Sequence, residues 1–219
     1  MRIRRRPWAR KELDECEFYI DHPEIYKNKW KEYFTNKAPI HIELGCGKGK
    51  FISKLATQNL NINYIAADMI EAMLGLSKRN IEAEYKGIQK EKDNIALIRV
   101  NIEQIGSVIG EEDIIDRIYI NFCNPWPRKK HKKRRLTHTR QLEQYKTFLF
   151  DGGEIYFKTD DDELFEESIE YFLESGFEII NKTYDLHNNS IFDNILTEHE
   201  EMFMEQGIKI KALIAKKAQ

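Results

Sequence analysis

Ile40-His41-Ile42-Glu43-Leu44-Gly45-Cys46-Gly47-Lys48-Gly49-Lys50-Phe51 is the stretch that decides the fold. Its first five residues alternate apolar and polar, as a strand does. The glycines let the backbone turn tightly and approach a ligand closely. Beyond them Phe51, Ile52, Leu55 and Ala56 recur at helical spacing. Two common meanings of such a turn lose support. A dinucleotide fingerprint needs Gly or Ala three residues after its second glycine, and Lys50 stands there after Gly47. A phosphate-binding P-loop needs a Gly-Lys-Ser/Thr ending, which is missing.

Strand and helix patterns continue outward from this unit. Tyr64 to Ala67 reads as a second strand, followed by Ile70, Met73, Leu74 and Ser77 on one helical face. Ile95 to Val100 is a third strand and Asp113 to Phe122 a fourth. Leu142, Tyr145, Phe148 and Leu149 mark a helix that Gly152-Gly153 is expected to stop. Glu154 to Lys158 reads as strand five, and Leu164, Phe165, Ile169, Phe172 and Leu173 as the stripe of another helix, closed by Gly176. The helical crossovers imply a parallel sheet. Phe177 to Leu186 and Ile208 to Ala215 then suggest an antiparallel pair at one edge. The connection from His187 to Gln206 shows no strong helical stripe, and its length implies a functional role. The expected organisation is an N-terminal basic and aromatic extension over 1–39, then one α/β domain over 40–219.

With 219 residues and 41% hydrophobic content the chain can bury one substantial core. Cys16, Cys46 and Cys123 are few, odd in number and widely spaced, which fits reduced cytosolic thiols better than disulfides or zinc. His22, His41, His138 and His187 lack metal-ligand spacing, so no metal is expected. No apolar run approaches membrane-spanning length, and the arginines at 2, 4, 5 and 6 precede no signal-peptide core. A cytoplasmic chain without a membrane partner is expected.

The net charge of -2 conceals segregation. Arg128-Lys129-Lys130-His131-Lys132-Lys133-Arg134-Arg135 contains one residue that is neither Lys nor Arg. Such density suits the phosphates of a nucleic acid. It directly follows Asn121-Phe122-Cys123-Asn124-Pro125-Trp126-Pro127 at the end of the fourth strand, where open α/β sheets border their ligand crevice. Methyltransferases acting on base amino groups often carry an Asp/Asn-Pro-Pro-aromatic turn there, and this altered version suggests a nitrogen nucleophile on a base. The glycine turn then fits the adenosine and methionine groups of a methyl donor. Asp68, about twenty residues beyond the glycines, has the position of an acid accepting ribose hydroxyls.

Together these motifs resemble the tRNA (guanine-N7)-methyltransferase family over nearly the whole chain. The resemblance rests on Arg6 to Ala9, His41-Ile42-Glu43 with its glycine turn, Asn121-Phe122 with Pro125-Trp126-Pro127, and Lys130-His131 to Arg134-Arg135-Leu136. Phe157-Lys158-Thr159-Asp160, Asp185-Leu186-His187-Asn188 and Thr197-Glu198-His199-Glu200 extend it. It implies a Rossmann-like class I methyltransferase fold, a mostly parallel seven-stranded sheet with helices on both faces and an antiparallel last strand. It further implies S-adenosylmethionine as methyl donor, leaving as S-adenosylhomocysteine, and tRNA as partner, bound by a monomer or homodimer.

By the same resemblance Glu43, Gly45, Gly47, Asp68, Asn101 and Asn124 line the donor site, with Asn124 at the catalytic position. Arg128, Asp160, Thr197, Glu198, His199 and Glu200 match substrate contacts, and Lys130, His131, Lys132, Lys133, Arg134 and Arg135 match the RNA-contacting segment. Asn101 and Asn124 stand where the family commonly has aspartates, and His199 where it usually has tyrosine. A tRNA-binding protein that has lost catalysis and a methyltransferase for another RNA position are the competing readings.

Overall fold

The computed structural model describes residues 6–189 and 194–218. The chain divides into two compact units, which meet in sequence between Asp113 and Ile114. The first contains α1 (Pro7–Asp14), β1 (Tyr19–Ile20), α2 (Trp30–Tyr33), β2 (Ile40–Leu44), α3 (Lys50–Gln58), β3 (Asn63–Asp68), α4 (Glu71–Ile88) and β4 (Ile95–Arg99). Its strands lie in the order β1-β4-β3-β2, all parallel. Every residue of β2 and β3 is buried. Side chains covered on both faces are what a parallel sheet with helical crossovers requires.

The seven strands expected from the sequence are present, and β1 is an eighth, too short to show periodicity. It belongs to the aromatic N-terminal stretch, which packs on this unit at several points. Helix α1 lies against α4 where Gly75 offers no side chain; a Cβ there would come within 2.8 Å of Ala9 and 2.9 Å of Trp8. Fully buried Trp30 donates through its indole nitrogen to the Val108 carbonyl at 2.9 Å. Asp113 fixes the same corner, accepting the backbone N–H groups of Asn28, Gly110 and Trp30 at 2.7, 2.8 and 3.1 Å. Asp113→Asn would turn an NH2 towards these donors. Urea unfolding should show a loss of about 2 kcal/mol, the cost of a disrupted buried charged network. An unchanged midpoint would remove Asp113 from the account of this corner.

The second unit contains β5 (Ile115–Asn121), α5 (Thr139–Phe148), β6 (Leu149–Thr159), α6 (Asp162–Glu174), β7 (Phe177–Thr183), α7 (Glu198–Glu205) and β8 (Lys211–Lys217). Strand order is β5-β6-β8-β7, with β5 and β6 parallel and β8 antiparallel to both neighbours. The last strand therefore inserts between β6 and β7, leaving β7 at the edge with alternating exposure along its length. Two local expectations change. Helix α5 ends at Phe148 and passes directly into β6, so Gly152 and Gly153 lie inside a strand, beside an irregularity where the β5–β6 register shifts. The connection after His187 contains helix α7, whose start is fixed by a capping box between Thr197 and Glu200.

No helix among the described residues is long and apolar enough to cross a membrane.

Candidate active site

In the first unit the glycine turn is held from below by strand β3. Gly45 and Cys46 both donate their N–H to the Ala67 carbonyl, at 2.8 and 2.9 Å. Asp68 ends β3 and accepts the Gly47 N–H at 3.0 Å on one oxygen and the Ile70 N–H at 2.8 Å on the other. Gly45, Gly47 and Gly49 have φ of 84°, 53° and 73°, the left-handed region where a side chain is strained. Gly49 is constrained again by packing, since a Cβ would lie 2.1 Å from the Ser77 hydroxyl on α4. Gly45 and Gly47 differ from it. A Cβ on either meets nothing within 4 Å, so the backbone there is bare and open to a ligand.

The carboxylates and amide expected to line a donor site sit at the same end of adjacent parallel strands. Glu43 is in β2, Asp68 ends β3, and Asn101 follows β4, where it caps a short 3-10 turn by accepting the Glu103 N–H at 3.2 Å. The Val100 N–H donates to the Asp68 carbonyl at 3.0 Å and ties the last two together. Glu43 is 2% and Asp68 9% exposed. Burial raises the Asp68 carboxyl above its usual range, and the amide bonds from Ile70 and Gly47 counteract part of that rise. Backbone N–H groups of Ile70, Gly47 and Met69 take up three of the roughly four acceptor sites of the carboxylate, so the residue can brace the turn and still accept a hydroxyl. Burial likewise pushes the Cys46 thiol far up, which makes it an inert packing residue.

In the second unit β5 ends in a strained turn. Phe122 and Trp126 both have positive φ, 51° and 42°, costly for bulky side chains and usually kept where function requires it. Between them the exposed Asn124 accepts the Trp126 N–H on its side-chain oxygen at 3.0 Å. Arg128 is exposed and starts the 3-10 turn Lys129–Arg134. Phe122 stacks on His199 with ring centroids 5.6 Å apart, and Phe203 joins them at 5.8 Å from Phe122. This brings the Asn-Pro-Trp-Pro turn and the Thr197 to Glu200 segment together.

The substrate residues divide by burial. Glu200 is fully buried; one oxygen accepts Lys158 Nζ at 2.9 Å and the Thr197 N–H at 3.0 Å, and the other accepts the Asn194 amide at 2.8 Å. Thr197 is also buried, whereas Glu198 and Asp160 are half-buried and His199 is exposed. Asp160 anchors through its backbone carbonyl, which accepts Lys211 Nζ at 2.9 Å. Lys158 carries no role in the reading from sequence, yet it is the buried partner of Glu200. Its signal was a lysine between Phe157 and Thr159 in a strand otherwise suited to burial, since a buried cation requires an anion.

The basic run also divides. Lys130, Lys133 and Arg134 are exposed, and the Arg134 guanidinium lies 4.3 Å from the centre of the Trp126 ring. His131 and Lys132 are half-buried, His131 against Trp126 and Lys132 paired with Glu163 at 2.6 Å. Arg135, expected among the phosphate contacts, is 0% exposed. The arginines at 2, 4 and 5 lie outside the described residues.

Comparison with known proteins follows the same lines. A family described as "Putative methyltransferase" matches residues 37–213. The chain is 61% identical over 217 residues, 99% of both chains, to the tRNA (guanine-N(7)-)-methyltransferase of Clostridium beijerinckii. It belongs to the tRNA (guanine-N(7)-)-methyltransferase family. A second relative so named, from Clostridium perfringens strain 13, is 57% identical over 99% of this chain and 100% of its own. Among solved structures, the 16S rRNA methyltransferase KamB superposes with a TM-score of 0.62 over 87% of this chain and 93% of that one, at 12% identity. A likeness at that identity concerns the fold, which is that of the class I methyltransferases. Membership of the family makes methyl transfer the chemistry of the chain.

Proposed function

We propose that the chain transfers the methyl group of S-adenosylmethionine to N7 of a guanine in the variable loop of tRNA, leaving 7-methylguanosine and S-adenosylhomocysteine. The observation that carries the reading is the 61% identity, across 99% of both chains, to an enzyme named for guanine-N7 methylation of tRNA. The bare, positive-φ glycines and the buried acids Glu43 and Asp68 suit a donor with an adenosine and an amino-acid end. When bound, that donor would supply a sulfonium methyl carbon to which the N7 lone pair could form the new N–C bond, the C–S bonding pair leaving on sulfur as the neutral thioether.

Guanine N7 carries no proton, so the protein needs no general base; its residues position and stabilise charge. Gly45, Gly47, Glu43, Asp68 and Asn101 hold the donor. Asn124 orients the reacting purine, and its rigid turn lowers the cost of doing so. Asp160 accepts the guanine N1 and N2 hydrogens and places negative charge near a ring that becomes cationic. The engaged oxygens of Glu200 favour Asp160 for this task and give Glu200 the work of holding Thr197, Glu198 and His199 in place. Arg128, Lys130, Lys133 and Arg134 meet tRNA phosphates. The reaction takes place in the cytoplasm, with its tRNA substrate.

The test is incubation of the protein with labelled S-adenosylmethionine and an unmodified tRNA transcript, then nucleoside analysis. Label in 7-methylguanosine is expected. Label in another nucleoside would overturn the base assignment, and bound donor and tRNA without transfer would favour a catalytically silent binder. Asn124→Ala should slow single-turnover transfer about 100-fold, the scale of a misplaced reactant. A wild-type rate would remove Asn124 from catalysis.

A further inference from the structure

A fully buried arginine is rare unless paired, and Arg135 is both. Its Nε donates to the Pro125 carbonyl at 2.5 Å, one residue from Asn124. Its Nη1 donates to Glu167 on α6, and its Nη2 lies 3.6 Å from Glu163, one turn earlier on the same helix. Lys132 joins the same two carboxylates, and the Tyr171 hydroxyl donates to Glu167 at 3.1 Å. The planar guanidinium can serve a carbonyl and a carboxylate at once in fixed directions, which an ammonium cannot do.

We propose that Arg135 is a positioning residue for the Asn124 turn and not a phosphate contact: it bridges the Pro125 carbonyl to Glu167 and so pins the turn to helix α6. The turn needs such an anchor. Two bulky residues in it hold positive φ, and strain of that kind persists only where surrounding structure over-determines it. The basic run thus has two functions separated by burial, with exposed cations for RNA and a buried one for the residue that meets the base. This inference rests on the role given to Asn124 above.

The experiment uses the full chain as wild type, Arg135→Gln and Glu167→Gln. Three quantities are compared: backbone amide exchange at Trp126, single-turnover methylation at saturating donor and tRNA, and tRNA Kd against salt. Both variants should speed exchange at the Trp126 amide about tenfold, as local opening of the turn requires. Both should slow transfer by about tenfold or more, as misplacement of a reacting group does. The tRNA Kd and its salt slope should stay at wild-type values. As a comparison, Lys133→Gln should weaken tRNA binding and flatten the slope.

A flatter slope for Arg135→Gln with wild-type exchange at Trp126 would make Arg135 a phosphate contact and overturn the proposal. Exchange that rises equally through α6 and β5 would mark general packing and overturn it as well. Should Arg135→Gln fail to fold, Glu167→Gln decides, because Glu167 is a partly exposed anion with no attraction for phosphate. Exchange at Trp126 reads the bridge even if no 7-methylguanosine forms, an outcome that would refute the proposed function instead.

Discussion

Replacing Glu200 by alanine is expected to cost about 3–5 kcal/mol, the penalty for removing one partner of a buried ion pair. Lys158 has a 10% exposed side chain and Glu200 none, so the ammonium would lose its carboxylate partner while keeping the Asn194 amide oxygen at 2.8 Å and the Ile195 carbonyl at 3.3 Å. Glu200 also closes the capping box of α7 and receives the Asn194 side chain, so the loss concentrates on residues 194–205. Hydrogen exchange in Glu200→Ala should show α7 amides losing protection before β6 and β8 do. Methylation should fall with it, because His199 and Phe203 on α7 flank Phe122 at the root of the Asn124 turn. The double variant Lys158→Met/Glu200→Leu separates stability from function. Apolar replacement of a buried pair is often neutral, so it should recover most of the stability while methylation stays low. Full activity in the double variant would show that the pair acts only as packing.

The second large effect is on donor binding. In Asp68→Asn the shape is kept, but one oxygen becomes an NH2 facing the Gly47 or Ile70 N–H. Donor against donor forces the glycine turn to shift, and an acceptor for the ribose is lost with it. The Kd for S-adenosylhomocysteine should rise about 100-fold, or about 2.7 kcal/mol, as two charge-assisted bonds warrant. Calorimetry on the purified chain measures this directly. Binding within threefold of wild type would refute the assignment of Asp68 to the donor site.

The glycine turn, the strands around it and the family motifs were legible in the sequence because each is a local pattern. Positive φ at Gly45, Gly47 and Gly49 follows from a turn only glycine adopts readily, and strands β2 and β3 appear within a residue or so of their expected bounds. Helix α7 was not legible. Its three apolar residues, Met202, Phe203 and Met204, are consecutive and form no stripe, and its start depends on a Thr197–Glu200 capping box inside a loop-like context. The passage of α5 straight into β6 was missed because Gly152-Gly153 has the composition of a helix stop, while the bulge opposite β5 is what uses it.

By itself the sequence determined the parallel α/β organisation, the glycine turn after the strand that carries Glu43, the placement of Glu43, Asp68 and Asn101 near strand ends, and the kinship that supplies a reaction. These depend on spacing over a few residues, where backbone geometry leaves few options. Only the tertiary structure decided that β8 enters between β6 and β7, that Lys158 and Glu200 pair across 42 positions, and that Arg135 is buried while Arg134 is exposed. Adjacent arginines are chemically identical in a sequence. Their roles separate when helix α6 brings Glu163 and Glu167 to one of them, and the cost of burying a charge without a partner determines which one goes inside.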